Sequence, residues 1–179
     1  MRTKLVRDAI VITASRLFYK QGYSNTGINQ IIAEAKISKS ALYQHFPSKE
    51  DLLMAYLEKT GEETIAALRD ITQQEAVPQT KLLAIFEYLE KLVQEEEFYG
   101  CHFLNMVYEI PENATRIRET LKKQKDNIRM LFTEILAPIG KEALADEVYT
   151  LFEGALIGNK IHSDPWPIIS AKNTLQRII

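Results

Sequence analysis

Apolar residues recur three or four positions apart along almost the whole chain, and this spacing limits the fold more than any other feature. In the first segment it is carried by Val6, Ile10, Ala14, Leu17 and Phe18. Residues at this spacing share one face of an α-helix, whereas a half-buried strand needs strict alternation, and no β-rich alternating run competes here. The sequence therefore predicts an all-α protein of about nine helices without an internal repeat.

Capping and helix-breaking residues give the predicted helix boundaries. Gly22 ends the first helix, Pro47 ends the third, and Ser48 caps a fourth that runs to about Asp70. The later helices are predicted over 80–97, 101–109, 111 to about 138, 141–162 and 168–179. A domain boundary near residue 48 separates an N-terminal domain, 1–47, from a larger helical domain, 48–179.

The N-terminal domain has the pattern of a helix-turn-helix, in which a turn of three to four residues joins two short helices. Its apolar platform is predicted to contain Leu17, Phe18, Ile28, Ile31 and Ile32, and the inner face of the third helix Ile37, Leu42 and Phe46. The outer face of the third helix is then Lys39, Ser40, Ala41, Tyr43, Gln44 and His45. These side chains are small, polar or basic, so the helix can enter a major groove closely.

The charge distribution favours a polyanionic partner for the same domain. Residues 1–50 hold eight Lys/Arg and three Asp/Glu, a net charge of +5, whereas residues 51–179 hold 14 and 21, a net charge of −7. A basic first third on an acidic body is typical of a segment that meets nucleic acid. Chance clustering of charge is the alternative, and charge alone does not decide between the two.

Three stretches of this region carry a resemblance to a known family. They are residues 22–33 (GYSNTGINQIIA), 35–46 (AKISKSALYQHF) and 48–53 (SKEDLL). Together they resemble the TetR family of bacterial transcriptional regulators, and the length and helix count extend the resemblance to the whole chain as architecture. It implies a homodimer whose paired recognition helices read a palindromic operator on double-stranded DNA.

The resemblance also implies a set of DNA-contacting residues: Thr26, Asn29, Ser38, Lys39, Ser40, Ala41, Tyr43, Gln44, His45 and Lys49. Thr26 is a phosphate contact or a helix N-cap, and Lys39 meets guanine or a phosphate. Tyr43 donates to a phosphate or packs its ring on the fourth helix, and Lys49 contacts a phosphate or is merely solvated. Ser40 replaces the glycine common at its position in the family, so the backbone approaches DNA slightly less closely.

The larger domain is expected to dimerise through its last two helices. The predicted interface consists of apolar and small residues: Val148, Leu151, Phe152, Ala155, Leu156, Asn159, Ile168, Ala171 and Leu175. Small side chains let helices of two subunits approach closely, and the family resemblance implies a four-helix interface there. The alternative for part of this set is intramolecular core.

The larger domain is also expected to bind a small-molecule effector. Its candidate pocket residues are Phe86, Cys101, His102, Asn105, Met106, Glu109 and Phe152. An aromatic and Met-rich set at helical spacing is more often plain core, and that alternative stays open. Cys101 is interpreted as a small buried hydrophobe, with a thiol sensor as the alternative, and no metal-ligand spacing is present.

Composition excludes several other classes of protein. The single cysteine excludes an internal disulfide framework and a cysteine-based zinc site, and fits a reducing compartment. Neither a signal peptide nor an apolar run of the roughly 18 residues that a membrane span needs is found. We therefore expect a cytoplasmic, ligand-responsive repressor that is not an enzyme and needs no cofactor. The alternative is an all-α enzyme or protein-binding module with a decayed helix-turn-helix, although no catalytic motif supports an enzyme.

Overall fold

The computed structural model describes the backbone of residues 2–179 and the side chains from Lys4 onward. Within that range the prediction of an all-α protein with nine helices is confirmed. The helices are α1 (Arg2–Gln21), α2 (Ile28–Glu34), α3 (Lys39–His45), α4 (Lys49–Gln73), α5 (Pro78–Leu92), α6 (His102–Glu109), α7 (Thr115–Leu136), α8 (Ala145–His162) and α9 (Trp166–Ile178). Two 3₁₀ turns, Ala137–Ile139 and Glu142–Leu144, lie between α7 and α8.

Several helix ends follow directly from local chemistry. Gly22 stops α1 in the left-handed region at φ 91°, which costs glycine little because it has no Cβ. The Ser38 hydroxyl caps α3 by accepting the Ala41 amide, and the Ser48 hydroxyl accepts the Asp51 amide in the first turn of α4.

Three predicted boundaries are wrong by several residues. Helix α5 ends at Leu92 and not at residue 97, since a continued helix would place three glutamates at the negative end of its dipole. Helix α7 begins at Thr115 because the chain from Pro111 forms a turn, closed by the Ala114 amide on the Pro111 carbonyl. Helix α8 begins at Ala145, after a 3₁₀ turn that occupies the start of the predicted helix.

Packing divides the chain into two compact units. Unit 1 contains Met1–Gly61 and His102–Lys122, and unit 2 contains Glu62–Cys101 and Lys123–Ile179. Helices α4 and α7 each supply residues to both units. The functional boundary at residue 48 stays a prediction.

Unit 1 has an apolar core drawn from six helices. Its buried side chains include Ile10, Ala14, Leu17, Phe18, Ile31, Leu42, Leu52, Leu53, Tyr56, Leu57, Phe103, Met106 and Ile117. The Tyr56 ring packs edge-on against Phe18, with ring centroids 5.9 Å apart. This core fixes the inner faces of α2 and α3, so their outer faces are left at the surface.

Unit 2 is built around α5, α8, α9 and the later part of α7. Phe152 of α8 packs edge-on against Phe132 of α7 at 5.6 Å and against Phe86 of α5 at 6.3 Å. Gly158 lets α8 approach α9 closely, because a Cβ at that position would lie 2.8 Å from Cβ of Pro167.

Candidate nucleic-acid interface

Helices α2 and α3 form a helix-turn-helix held by a short, well-bonded turn. Lys36 adopts a left-handed conformation with φ 53°, and its amide donates to the Ala33 carbonyl. The next amide, that of Ile37, donates to the Ile32 carbonyl, so the turn is bonded on both sides of Lys36. The backbone itself therefore sets how α3 leaves α2.

The predicted inner face of this motif is only partly buried. Leu17, Phe18, Ile31, Leu42 and Phe46 are buried, as expected. The remaining three, Ile28, Ile32 and Ile37, are half-buried, because they lie at the edge of the three-helix contact.

The outer face of α3 is largely exposed. Lys39, Ser40, Tyr43 and Gln44 are exposed, whereas Ala41 and His45 are half-buried. Tyr43 is 43% exposed, so its ring does not pack into the core. The face combines an ammonium, hydroxyls and an amide, groups that can donate to phosphate oxygens and base edges.

Thr26 does not act as the N-cap that one sequence-based interpretation assigned to it. Its side chain is 1% exposed, and its hydroxyl donates to the Gly22 carbonyl at 2.7 Å. The N-cap of α2 is Gly27, without a side-chain bond, so the N-cap interpretation of Thr26 is wrong. Because the hydroxyl proton is used within the turn, Thr26 stabilises the start of α2. Asn29, in the first turn of α2, is exposed.

Lys49 is held by the turn between α1 and α2. Its Nζ donates to the Tyr23 carbonyl at 2.6 Å and lies 4.1 Å from the centroid of the Tyr23 ring. Burial lowers the pKa of Lys49, and the charge of Glu109 opposes that shift. The interpretation of Lys49 as a merely solvated side chain is therefore wrong.

Two residues predicted for an effector pocket, His102 and Glu109, contact α1, α4 and the turn after α1 within unit 1. The His102 ring stacks on Tyr19 with centroids 3.7 Å apart, and its Nδ1 is 2.6 Å from the Tyr56 hydroxyl. Glu109 Oε2 accepts the Ser24 amide at 2.8 Å. No local sequence signal indicates this contact, since the two residues are separated by 85 positions.

The predicted pocket residues are divided between the two units. His102, Asn105, Met106 and Glu109 belong to unit 1, whereas Phe86, Cys101 and Phe152 belong to unit 2. Phe86 and Phe152 are core residues in mutual ring contact. The assignment of the set to an effector pocket stays a prediction.

Cys101 is half-buried, and its interpretation as a fully buried hydrophobe is wrong. Its sulfur lies 3.3 Å from Nζ of Lys125, which donates to Glu153 at 2.7 Å. Burial alone would lower the pKa of Lys125, but the neighbouring Cys101 and Glu153 outweigh it and raise that pKa. The three side chains form a satisfied polar cluster within unit 2.

The predicted dimer-interface residues lie mainly in the interior of one chain. Val148, Phe152, Ala155, Leu156, Asn159, Ile168, Ala171 and Leu175 are buried, and Leu151 is half-buried. Because these buried side chains already face other helices of unit 2, they are not the outer face of α8 and α9. The apolar side chains that α8 and α9 do expose include Ile161 at 71%, Trp166 at 52% and Ile169 at 37%.

Two other kinds of site are absent from the part of the chain that the structure describes. No three His, Cys, Asp or Glu side chains there are grouped as metal ligands. No helix in the same range combines the length and apolar character needed to cross a membrane.

Comparison with known proteins connects this geometry to a family. Residues 10–56, which include α2, α3 and the start of α4, match the family model described as bacterial regulatory proteins, tetR family. The HTH-type transcriptional regulator LmrA of Bacillus subtilis is 28% identical over an alignment covering 94% of this chain and 88% of LmrA. The HTH-type transcriptional regulator YuxN of the same organism is 31% identical over 62% of this chain, and the chain spans only 40% of the YuxN length.

A solved structure extends the similarity to the whole fold. The crystal structure of a TetR-family transcriptional regulator from Streptomyces coelicolor superposes with a TM-score of 0.87 and 26% identity. The superposition covers 96% of this chain and 86% of that protein. The order of the helices is thus shared along nearly the whole chain.

Proposed function

We propose that this chain, a member of the TetR family of bacterial regulatory proteins, is a DNA-binding transcriptional regulator and a ligand-responsive repressor. In this proposal a homodimer binds a palindromic operator through the two copies of α3. A small molecule bound in the helical body changes the spacing of these two helices. The effector acts only through its different affinity for the two spacings.

The observation that carries the DNA-binding proposal is the exposed outer face of α3 above a buried inner face. The exposure of Lys39, Ser40 and Gln44 supports contacts with base edges, and in this proposal Tyr43 and His45 meet flanking phosphates. Lys49 supports the same surface from the first turn of α4. Its ammonium has three N–H donors, so it can hold Tyr23 and still donate to a phosphate.

The exposed apolar side chains on α8 and α9 support the dimer. Ile161, Trp166 and Ile169 are exposed on the single chain, and contiguous exposed apolar surface is typical of protein–protein interfaces. A second copy of the same surface would cover them. A dimer supplies two recognition helices, which can bind two half-sites in successive major grooves about 34–36 Å apart.

A groove in unit 2 is one candidate place for the effector. It has a volume of ≈ 310 Å³ and is lined by the end of α4, the start of α5 and the end of α7, with Arg69, Lys81, Leu131 and Ile135 among its residues. This volume is near the lower end of the range for small-molecule sites, about 300–1,000 Å³. The charged and apolar lining would suit a small amphipathic molecule.

Selection of duplexes from a random library at near-physiological salt tests the proposal. We expect enrichment of one inverted repeat whose half-site centres lie about 10–10.5 base pairs apart, or a multiple of that distance. The affinity should also fall steeply with salt, because phosphate contacts release counterions.

A matched control separates phosphate contact from general charge loss. Lys123→Ala removes an exposed lysine of unit 2, and Lys49→Ala removes one at the proposed interface. The salt slope is the slope of the logarithm of the binding constant against the logarithm of the salt concentration. Only Lys49→Ala should make this slope shallower, by about 1 for each lysine lost from the complex. Absence of any enriched repeat, with an affinity that does not change with salt, would instead support an enzyme or protein-binding module.

A further inference from the structure

The peptide group between Tyr23 and Ser24 is held at both ends by side chains distant in sequence. Its carbonyl oxygen accepts Nζ of Lys49 at 2.6 Å. Its N–H donates to Oε2 of Glu109 at 2.8 Å. We call Lys49 and Glu109 together the turn clamp, since this peptide lies in the turn that joins α1 to α2.

The signs of the two charges match the direction of the peptide dipole. In a trans peptide the carbonyl oxygen and the amide hydrogen point in opposite directions, with the oxygen negative and the hydrogen positive. The Lys49 ammonium faces the oxygen, and the Glu109 carboxylate faces the hydrogen. Both hydrogen bonds are charge-assisted, so they hold the peptide more firmly than neutral bonds would.

Gly22 provides an independent sign that this contact is close-fitting. A Cβ added to Gly22 would lie 2.9 Å from Oε1 and 3.1 Å from Oε2 of Glu109. A larger residue at position 22 would therefore require the Glu109 carboxylate to shift. Gly22 also has φ 91°, a conformation that disfavours other residues even where space is available.

The clamped turn sets where α2 begins. The Thr26 amide donates to the same Tyr23 carbonyl at 3.2 Å, and the Thr26 hydroxyl donates to the Gly22 carbonyl at 2.7 Å. Helix α2 starts two residues later, and α3 follows through the bonded turn at Lys36. Movement of the Tyr23–Ser24 peptide would therefore be transmitted to the helix pair that presents the outer face of α3.

We propose that Glu109 is a positioning residue for DNA binding, which acts by holding the Tyr23–Ser24 peptide in place. The inference rests on the proposed function, because its outcome is read as affinity for the operator. Glu109 acts without touching DNA, and its charge alone would weaken binding to phosphates. A favourable effect of Glu109 on affinity must therefore come through the turn.

The test compares Glu109→Ala with Glu112→Ala, measured on the full chain and the enriched duplex. Both variants remove one negative charge from the same short stretch, but Glu112 is exposed and lies in the turn after α6. We expect Glu109→Ala to bind about tenfold more weakly than Glu112→Ala, a difference of about 1.4 kcal/mol. Glu109→Gln keeps an acceptor oxygen without the charge, so its affinity should lie between the two.

Amide hydrogen exchange at Ser24 tests the clamp without DNA. The Ser24 amide should exchange faster in Glu109→Ala than in Glu112→Ala, while helix content stays the same. Equal Ser24 exchange in the two variants overturns the inference, as does equal affinity for a duplex that the wild-type chain enriches. A wild-type chain that enriches no duplex overturns the proposed function, and the exchange rates still decide whether the clamp holds the turn.

Gly22→Ala gives a second test that does not depend on Glu109→Ala alone. When Gly22→Ala is the only substitution, the new side chain meets the Glu109 carboxylate and residue 22 adopts an unfavourable φ. When Gly22→Ala is combined with Glu109→Ala, only the unfavourable φ remains. The fold-loss in operator affinity should therefore be smaller in the Glu109→Ala background. Equal fold-losses in both backgrounds would overturn the close fit between Gly22 and Glu109.

Discussion

Replacing Phe152 with alanine should lower the stability of the fold and not act first on dimerisation. The Phe152 side chain is 3% exposed and lies between two other aromatic rings of unit 2. Removing it takes away an apolar ring and leaves a cavity that helices α5, α7 and α8 can close only partly. The sequence alone assigned Phe152 to the dimer interface, so this substitution separates the two interpretations.

The expected magnitude follows from those contacts. Burial of this kind makes a Phe→Ala change cost about 3–5 kcal/mol in free energy of unfolding. The edge-on contacts, at 5.6 Å with Phe132 and 6.3 Å with Phe86, have the geometry that aromatic pairs prefer. Two such pairs are lost together, so the change should fall in the upper part of that range.

Chemical denaturation followed by circular dichroism provides the measurement, with Ile161→Ala as the control. Ile161 lies on the same helix but is 71% exposed, so its truncation should change the free energy of unfolding by less than about 0.5 kcal/mol within one chain. Each variant is measured over a series of protein concentrations, because a dimer contributes a concentration-dependent term.

The reasoning would be refuted by a loss for Phe152→Ala below about 1 kcal/mol, the ordinary size of a point-mutation effect. It would equally be refuted by a loss that grows as the protein is diluted. Such a dependence would mean that Phe152 acts through a second copy of the chain.

Three further outcomes are expected. Ile161→Glu puts a charge on the exposed apolar face of α8, so the mass measured by light scattering should shift towards the monomer with helix content unchanged; an unchanged mass would place the interface elsewhere. Lys39→Ala should flatten the salt slope of operator binding by about 1 if Lys39 meets a phosphate, or relax base preference at one position if it meets guanine; a variant that does neither removes Lys39 from the interface. Hydrogen bonds from the side chains of Ser48, the larger cause, and Arg116 hold the pKa of Asp51 below its ordinary value of 3.8. The ionised carboxylate therefore stabilises unit 1 above pH 3.8, and this stabilisation is lost as the pH falls through the lowered pKa. Thermal melts between about pH 5 and pH 2 should show a smaller acid loss in Asp51→Asn than in the wild type, and equal losses would contradict the assignment.

The helices could be predicted because their signals are local. The cap at Ser38 and the proline at position 47 bracket α3 within nine residues, and its outer face follows from spacing alone. The end of α5 was misplaced because apolar spacing continues past Leu92. The relevant signal was present in Glu95, Glu96 and Glu97, whose charges oppose the helix dipole at that end.

The partners of the site residues could not be predicted in the same way. Lys49 meets a carbonyl 26 positions away, and Glu109 meets an amide 85 positions away. Periodicity assigns a residue to a helix face but not to a partner on another helix. The resemblance singled out Thr26 and Lys49, but the hydrogen bonds that engage them within the turn depend on tertiary packing.

Most residues of α8 and α9 that the sequence assigned to the dimer interface are buried in one chain, for a related reason. A stripe of small and apolar residues has the same pattern whether it faces another helix of its own chain or a second copy. Phe152 is core because Phe86 and Phe132 lie against it, and neither contact can be read from the spacing of α8. The exposed apolar residues of the same helices, such as Ile161 and Trp166, are fewer and irregularly spaced.

Unit 1 consists of two separate stretches of chain, and this limits which fragments of the protein can fold on their own. A gene fragment that ends near residue 47 would encode α1, α2 and α3 but would omit the first half of α4 and all of α6. Such a fragment would lack Tyr56, His102 and both members of the turn clamp. Helices α1, α2 and α3 are therefore not a module that can be excised and fused elsewhere, and any chimera should exchange residues 1–61 together with residues 102–122.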